Sequence, residues 1–337
     1  YTFFMDSKKE PTDYEQYLAS VHAQLETPEE LIKEVVTEGT GLDLVSKNKI
    51  VAGEANEVYD VTTSDEQHLI LRISPHGHPD FQQEIWAINE ARKVGVPAPT
   101  ILLVKYVKVA DEDRSMCLME KLDGEPLERG GIDFGALDSD LQKDLIMQGG
   151  EILSRIHSIE TQGVGWIIGA GKGQYTNSDE LIDHLMGKRK QFEDVADAED
   201  LERTQIGQAL DIIEGFRSLY GSVKPHLNHG DYGHKHFMMQ DNKITGVLDW
   251  GGVRSDTPIY DIAMWDYWFG EYIPTEWLKE GYTNKSLFEG NFEDVLHMLR
   301  LFKGLEILAW YHQQKYKPAV EKAKKKLLND LAYFKKK

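Results

Sequence analysis

The stretch His229-Gly230-Asp231-Tyr232-Gly233-His234-Lys235-His236, followed after a short hairpin by Ile244-Thr245-Gly246-Val247-Leu248-Asp249-Trp250, holds the residues best suited to chemistry. Leu227 and His229 lead into Gly230 and Asp231. Residues 236–239 read as a strand that turns at 240–243, and residues 244–248 as the return strand that delivers Asp249. Such a hairpin is expected to bring Asp231, His236 and Asp249 to one mouth. Two carboxylates so placed suit phosphoryl transfer: one orients a hydroxyl, the other holds a cation that bridges phosphates, and little covalent chemistry is left for the protein. Four histidines, His226, His229, His234 and His236, lie close together. Without a nearby cysteine, and with strand alternation sending neighbours to opposite faces, a closed tetrahedral zinc site is not expected.

These residues need a framework. Residues 49–62 read as two strands around a turn at Gly53, and 69–73 as a third. A turn between strands can offer its N–H groups to a nucleotide's phosphates; an ordinary hairpin would look the same. Arg72 sits inside an otherwise apolar strand, where a buried cation needs a partner. The helix read over 81–94, with Ile85, Ile88 and Ala91 on one face, can aim Glu84 at that strand. An Arg72–Glu84 pair would place a charge-balanced positive fork near phosphates, the plain alternative being a surface arginine on an edge strand. The helix ends at Gly95, and Val96-Pro97-Ala98-Pro99 leads into a strand at 101–104. Residues 115–124 run from an apolar strand into a polar segment and Gly124, which suits a hinge whose backbone could pair with an adenine edge. Charge and period both change near Gly124, and the lobe boundary is expected there.

Residues 11–38 read as two short helices, the second opened by Thr27-Pro28-Glu29-Glu30. Past the boundary, residues 141–157 carry a helical stripe of Leu145, Ile146, Ile152, Leu153 and Ile156, closed by His157, which is read as a structural histidine. Residues 163–166 read as a tight loop, 178–221 as further helices with a solvated acidic run at 194–202, 292–312 as a helix with an apolar face, and 322–337 as a basic helix docked through Leu327, Leu328, Leu331 and Phe334. Acids among aromatics at 264–271 suit a polycationic sugar, with carboxylates for its ammonium groups and rings for its apolar faces, and Asp266 and Glu271 are the candidates; the plain alternative is core aromatics with solvated acids.

A chain of 337 residues with 41% hydrophobic content can bury a large core, and its length suggests two domains or two lobes. Its net charge of -19 argues against general binding to nucleic acid or an anionic membrane and leaves room for a cationic small molecule. No apolar run approaches the ~20 residues of a membrane span. The single cysteine, Cys117, among Met116, Leu118 and Met119, suits a buried inert thiol and a reducing cytoplasm. Met5 could be the natural start. No internal repeat, low-complexity linker or obligate protein partner is inferred.

His-Gly-Asp, a metal-ligand residue five positions after the Asp, a hairpin, and a second Asp followed by Trp resemble the catalytic region of aminoglycoside phosphotransferases, relatives of the protein kinases. Residues 244–250, Tyr260-Asp261-Ile262-Ala263 and the loop at 173–176 resemble the hygromycin B kinase branch in particular. The likeness spans roughly residues 51–268. It implies an α+β, two-lobed protein-kinase-like fold, with a small N-terminal nucleotide-binding lobe at 1–123 built on an antiparallel sheet and a larger, mostly helical catalytic and substrate-binding lobe at 124–337. Asp231 would be the catalytic base or hydroxyl-orienting carboxylate, with His229 orienting its loop and Asp261 bracing it through backbone hydrogen bonds. Gly53, Arg72, Glu84 and the hinge residues Met119, Glu120 and Leu122 would contact ATP or GTP. Asp249 and His236 would hold Mg²⁺, with Mn²⁺ possible. His236 departs from the family's usual asparagine and matches macrolide phosphotransferases; imidazole suits softer metals and binds only when neutral. The implied reaction is phosphorylation of a small-molecule hydroxyl, on an aminoglycoside or aminocyclitol such as hygromycin B. Macrolides, choline-type alcohols and a pseudokinase that binds nucleotide without turnover are the alternatives.

Overall fold

The computed structural model describes residues 26–51, 56–74, 81–109, 112–128 and 130–337; the first helix expected within 11–38, the residues around Met5 and the Gly53 turn lie outside the described residues. The chain divides into two compact units, Tyr1–Gln142 with His234–Gly251, and Lys143–Gly233 with Gly252–Lys337.

In the first unit, α1 (Glu29–Thr40) precedes β1 (Leu44–Ile50), β2 (Glu57–Thr63), β3 (His68–Ser74), α2 (Gln82–Lys93), β4 (Ile101–Val109) and β5 (Glu112–Glu120). The strands form one antiparallel sheet in the order β1-β2-β3-β5-β4. Strand alternation separates its two faces. Leu69, Leu71 and Ile73 join Ile32, Val35 and Val36 of α1 in one core, whereas Ile70 and Ile85 pack around Phe81, Cys117 and Met119 on the other. Burial pushes the Cys117 thiol up to about 12, so it is inert, as its neighbours in sequence suggest.

Gly124 is not the boundary between the units. The short β6 (Glu125–Pro126) pairs with β10 (Phe237–Gln240), which also pairs with β11 (Lys243–Val247). A Cβ on Gly124 would lie 2.4 Å from the Met239 carbonyl oxygen, and the Thr245 hydroxyl donates to the Asp123 carbonyl at 2.5 Å. Main-chain pairing thus carries residues past 124 and the hairpin itself into the first unit.

In the second unit, α3 (Ser139–Ile156) enters from the first and leads to β7 (Val164–Gly169), β8 (Lys172–Tyr175) and four short helices, α4 (Ser178–Gly187), α5 (Arg189–Ala198), α6 (Arg203–Gly215) and α7 (Arg217–Gly221). After β9 (His226–Asn228) the chain returns as β12 (Arg254–Asp256), α8 (Ile259–Phe269), α9 (Thr275–Gly281), α10 (Phe292–Gln313) and α11 (Lys317–Lys335). The sheet order is β8-β7-β12-β9, all antiparallel. Residues 164–166 and 173–175 are strand residues rather than the loops their glycines suggest. The glycines permit the pairing, because a Cβ on Gly173 would lie 2.6 Å from the backbone of Val164. No helix among the described residues is long and apolar enough to cross a membrane.

Candidate active site

Strand alternation in β3 puts Arg72 on the α2 face, opposite Cys117 of β5. Its guanidinium donates to Glu84 through Nη1 to Oε2 at 2.5 Å and Nη2 to Oε1 at 3.4 Å, and stacks over Phe81 at 5.1 Å. Burial works against the arginine's charge, but Glu84 and then Asp249 outweigh it and raise its pKa. The edge-strand alternative for Arg72 is therefore excluded, since β3 lies between β2 and β5.

The hairpin brings His236 and Asp249 together. His236 ends a tight turn, His234–His236, just before β10, and Leu248 N donates to the His236 carbonyl at 2.8 Å. Asp249 takes a left-handed φ of 65°, which turns its side chain back so that Oδ2 lies 3.5 Å from His236 Nδ1. Trp250 anchors the turn by donating its indole N–H to the Val247 carbonyl at 2.9 Å. A Cβ on Gly251 would meet Glu84 Oε1 at 3.3 Å and Asp249 Oδ1 at 3.9 Å, so both carboxylates flank that glycine. An imidazole nitrogen and a carboxylate oxygen at this spacing fit neighbouring positions around an octahedral divalent cation, about 3 Å apart for bonds of about 2.1 Å.

At the expected hinge, Glu120 is spent on Thr100. Its carboxylate accepts from Thr100 N at 2.9 Å and Oγ1 at 2.6 Å, while its own N–H donates to the Thr100 carbonyl at 2.9 Å. Met119 is buried in the sheet, and Leu122 lies beyond the strand with its side chain over Gly246. The amide of Glu120 is thus unavailable to a base.

In the second unit, Asp261 in the first turn of α8 accepts from His229 N at 2.7 Å and Gly230 N at 2.8 Å, fixing the loop that presents Asp231. Its Oδ2 also bonds His157 Nε2 at 3.1 Å, and His157 Nδ1 reaches the Tyr282 hydroxyl at 3.0 Å. Gly230 has φ 83°, and a Cβ there would fall 1.8 Å from the Gly252 carbonyl oxygen, so only glycine fits. The His229 ring is fully buried edge-on to Tyr232 at 5.6 Å, and the Tyr232 hydroxyl donates to Gly149 O at 2.7 Å. Asp231 itself is half-buried. His157 is thus tied to the loop, a role that a lone histidine at a helix end does not advertise in sequence.

Of the acids expected to meet a polycation, Asp266 is bonded within the fold, accepting from Thr275 Oγ1 at 2.6 Å and paired with Arg300, whereas Glu271 is half-exposed, 3.8 Å from Lys325. The second unit instead holds a groove of about 400 Å³ lined by Trp166, Trp268, Trp310, Tyr311, Lys303 and Glu306 among others. No motif marks it, because its tryptophans come from one strand and two helices far apart in sequence.

A family model described as a phosphotransferase enzyme family matches residues 48–282. No curated protein matches the sequence. Among solved structures, a thermostable mutant of aminoglycoside phosphotransferase APH(4)-Ia, in ternary complex with ADP and hygromycin B, is 16% identical with a TM-score of 0.69, covering 89% of this chain and 98% of that one. ADP-bound APH(2'')-Ib is 15% identical with a TM-score of 0.59, over 89% and 97%. A streptomycin-ATP-APH(2")-IIa ternary complex is 15% identical with a TM-score of 0.57, over 90% and 97%.

Proposed function

The chain belongs to the phosphotransferase enzyme family, with its two-lobed kinase-like fold, and from that premise we propose that it moves the terminal phosphoryl group of ATP or GTP to a hydroxyl of a small molecule. One observation carries the reading: within a single unit, the His236–Asp249 donor pair accompanies an Arg72–Glu84 fork whose cation also feels Asp249. A metal position beside fixed positive charge is what a triphosphate requires.

Asp231 orients the acceptor hydroxyl and takes its proton as the new O–P bond forms. Its alignment matters more than its basicity, because the transition state is loose. His229, Asp261 and His157 act through the loop's position. His236 and Asp249 would hold Mg²⁺ or Mn²⁺, which when bound neutralises charge on the phosphates. Arg72, kept in place by Glu84, adds positive charge there, and Met119 and Leu122 border the base. Similar folds are crystallised with hygromycin B and streptomycin, so aminoglycosides and aminocyclitols head the acceptors to test, with macrolides and choline as rivals. Nucleotide use and the single buried thiol suit the cytoplasm.

The test is a phosphorylation screen of these acceptors with each nucleotide, wild type beside Asp231→Ala. Transfer to one acceptor class is expected, with kcat falling about 10²–10⁴-fold in the variant while nucleotide affinity holds within a few-fold. Undiminished transfer by the variant would refute the role given to Asp231.

A further inference from the structure

Three indoles drawn from β7, α8 and α10 line the groove of the second unit, and two of them are half exposed, Trp166 at 48% and Trp310 at 52%. Indole faces held open to water at the wall of a groove are a standing cost that a ligand's apolar face relieves. The volume suits a small molecule rather than a protein surface.

Charge then decides which small molecule. Glu306 is the one carboxylate among the lining residues, and both its oxygens already face ammonium groups: Lys303 Nζ at 3.2 Å from Oε2 and Lys188 Nζ at 3.8 Å from Oε1. Burial alone would raise its pKa, but the charges of Lys303 and Arg254 outweigh burial and hold it below the ordinary value. Arg254 itself donates from both Nε and Nη2 to Asp256 Oδ2 and lies over the Tyr260 ring at 3.9 Å. With Lys188, Lys303 and Arg254 set against Glu306 and Asp256, the neighbourhood carries an excess of positive charge. A ligand ammonium would meet no unpaired anion here and two lysines that repel it.

The groove also shares its framework with the catalytic loop. Trp166 pairs with Arg254 of β12, and β12 pairs with β9, the strand that runs into His229-Gly230-Asp231. Two strand spacings are about 10 Å, within the span of a two-ring ligand. Trp268 stands on α8, the helix whose first turn supplies Asp261.

We propose that this groove is the acceptor-binding subsite and that it takes an uncharged hydroxylated ring, such as a neutral glycoside, in preference to a polycation. The assignment rests on the phosphotransferase reading and narrows it. The ring's flat apolar face stacks on the indoles, while its edge hydroxyls exchange hydrogen bonds with Lys303 and Glu306.

The experiment titrates the full chain, with nucleotide present, with phenyl β-D-glucopyranoside and separately with hygromycin B. Tryptophan fluorescence and calorimetry follow binding, and each compound is offered as a phosphate acceptor. Expected are saturable binding of the glycoside, about tenfold weaker in both Trp310→Ala and Trp166→Ala, and hygromycin B binding at least tenfold weaker than the glycoside in wild type. Both side chains are about half exposed, so the variants should fold. Tighter binding of hygromycin B that is lost in the two variants overturns the assignment and leaves phosphoryl transfer standing. Absence of glycoside binding overturns it as well. Unaltered transfer by Asp231→Ala strikes the phosphotransferase mechanism and not the groove, so the two failures are distinguishable.

Discussion

Asp261 spends both carboxylate oxygens on two successive amides, His229 N and Gly230 N, and still reaches His157. An acceptor serving three donors holds the main chain on either side of Gly230, and so sets where Asp231 projects. Asp261→Asn keeps the volume but leaves one oxygen, and turns an NH₂ group toward an amide that also donates. Hydrogen bonds to a charged group contribute about 1.5–3 kcal/mol, so kcat should fall about tenfold to a hundredfold with nucleotide affinity intact, since Arg72, Glu84, His236 and Asp249 belong to the other unit. Steady-state kinetics beside a separate nucleotide titration checks this; a parallel loss of nucleotide affinity would mean that Asp261 supports more than the loop.

Among the elements, α3 and α9 meet through glycines. A Cβ on Gly150 would lie 2.1 Å from Leu278 O, and one on Gly281 would lie 1.8 Å from Met147 O. This close crossing brings His157, just past α3, to Tyr282, just past α9, and so completes the brace behind Asp261. Gly150→Ala therefore sets two effects against each other. Helix propensity favours alanine by about 0.8–1 kcal/mol, whereas the overlap forces the helices apart, at about 1–3 kcal/mol for overpacking of this kind. The overlap is with a main-chain oxygen that cannot rotate away, so net destabilisation with reduced kcat is expected; chemical unfolding and kinetics on one preparation measure both, and a more stable variant would show that propensity wins. These elements also mark what a sequence can yield. Arg72 and Glu84 were legible because an arginine in an apolar strand needs a partner and helical spacing offers one. His236 and Asp249 were legible because a four-residue turn and period-2 strands fix their register. The glycine contact, the His157 brace and the indole groove were not, because each joins residues from separate elements at distances no periodicity encodes. The pairing of the Glu120 amide with Thr100, which lies twenty residues earlier, was hidden for the same reason.

Taken whole, the molecule has a stability that should respond to pH at both ends of its range, through one buried base in each unit. His234, its ring tilted against Phe134 at 4.8 Å, has its pKa pushed down to about 4 by burial and then by the charges of Lys235 and His236. An unfolded histidine titrates near about 6.5. The unfolded chain therefore binds this proton first as pH falls, and stability present above about 6.5 is lost progressively toward 4. Lys326 of α11 is 2% exposed, donates to the Tyr267 carbonyl and lies over the Tyr267 ring at 4.6 Å; burial lowers its pKa to about 8. Here the folded state gives up its proton first as pH rises, while the unfolded lysine keeps its own to about 10.4. Through Lys326 stability should therefore gain about 2 kcal/mol between pH 8 and 10, at about 1.4 kcal/mol per unit of separation, against an opposing loss through Cys117, whose raised pKa leaves the unfolded chain to ionise its thiol first. Above about pH 10 Tyr220 and Tyr232, raised by burial, add to that loss, because the unfolded chain ionises its tyrosines first. Urea unfolding of wild type and Lys326→Met at half-unit steps from pH 7 to 10 isolates the effect: the stability of wild type minus that of the variant should grow by about 2 kcal/mol between pH 8 and 10. Curves of equal slope in both would mean that the buried amine does not contribute in this range.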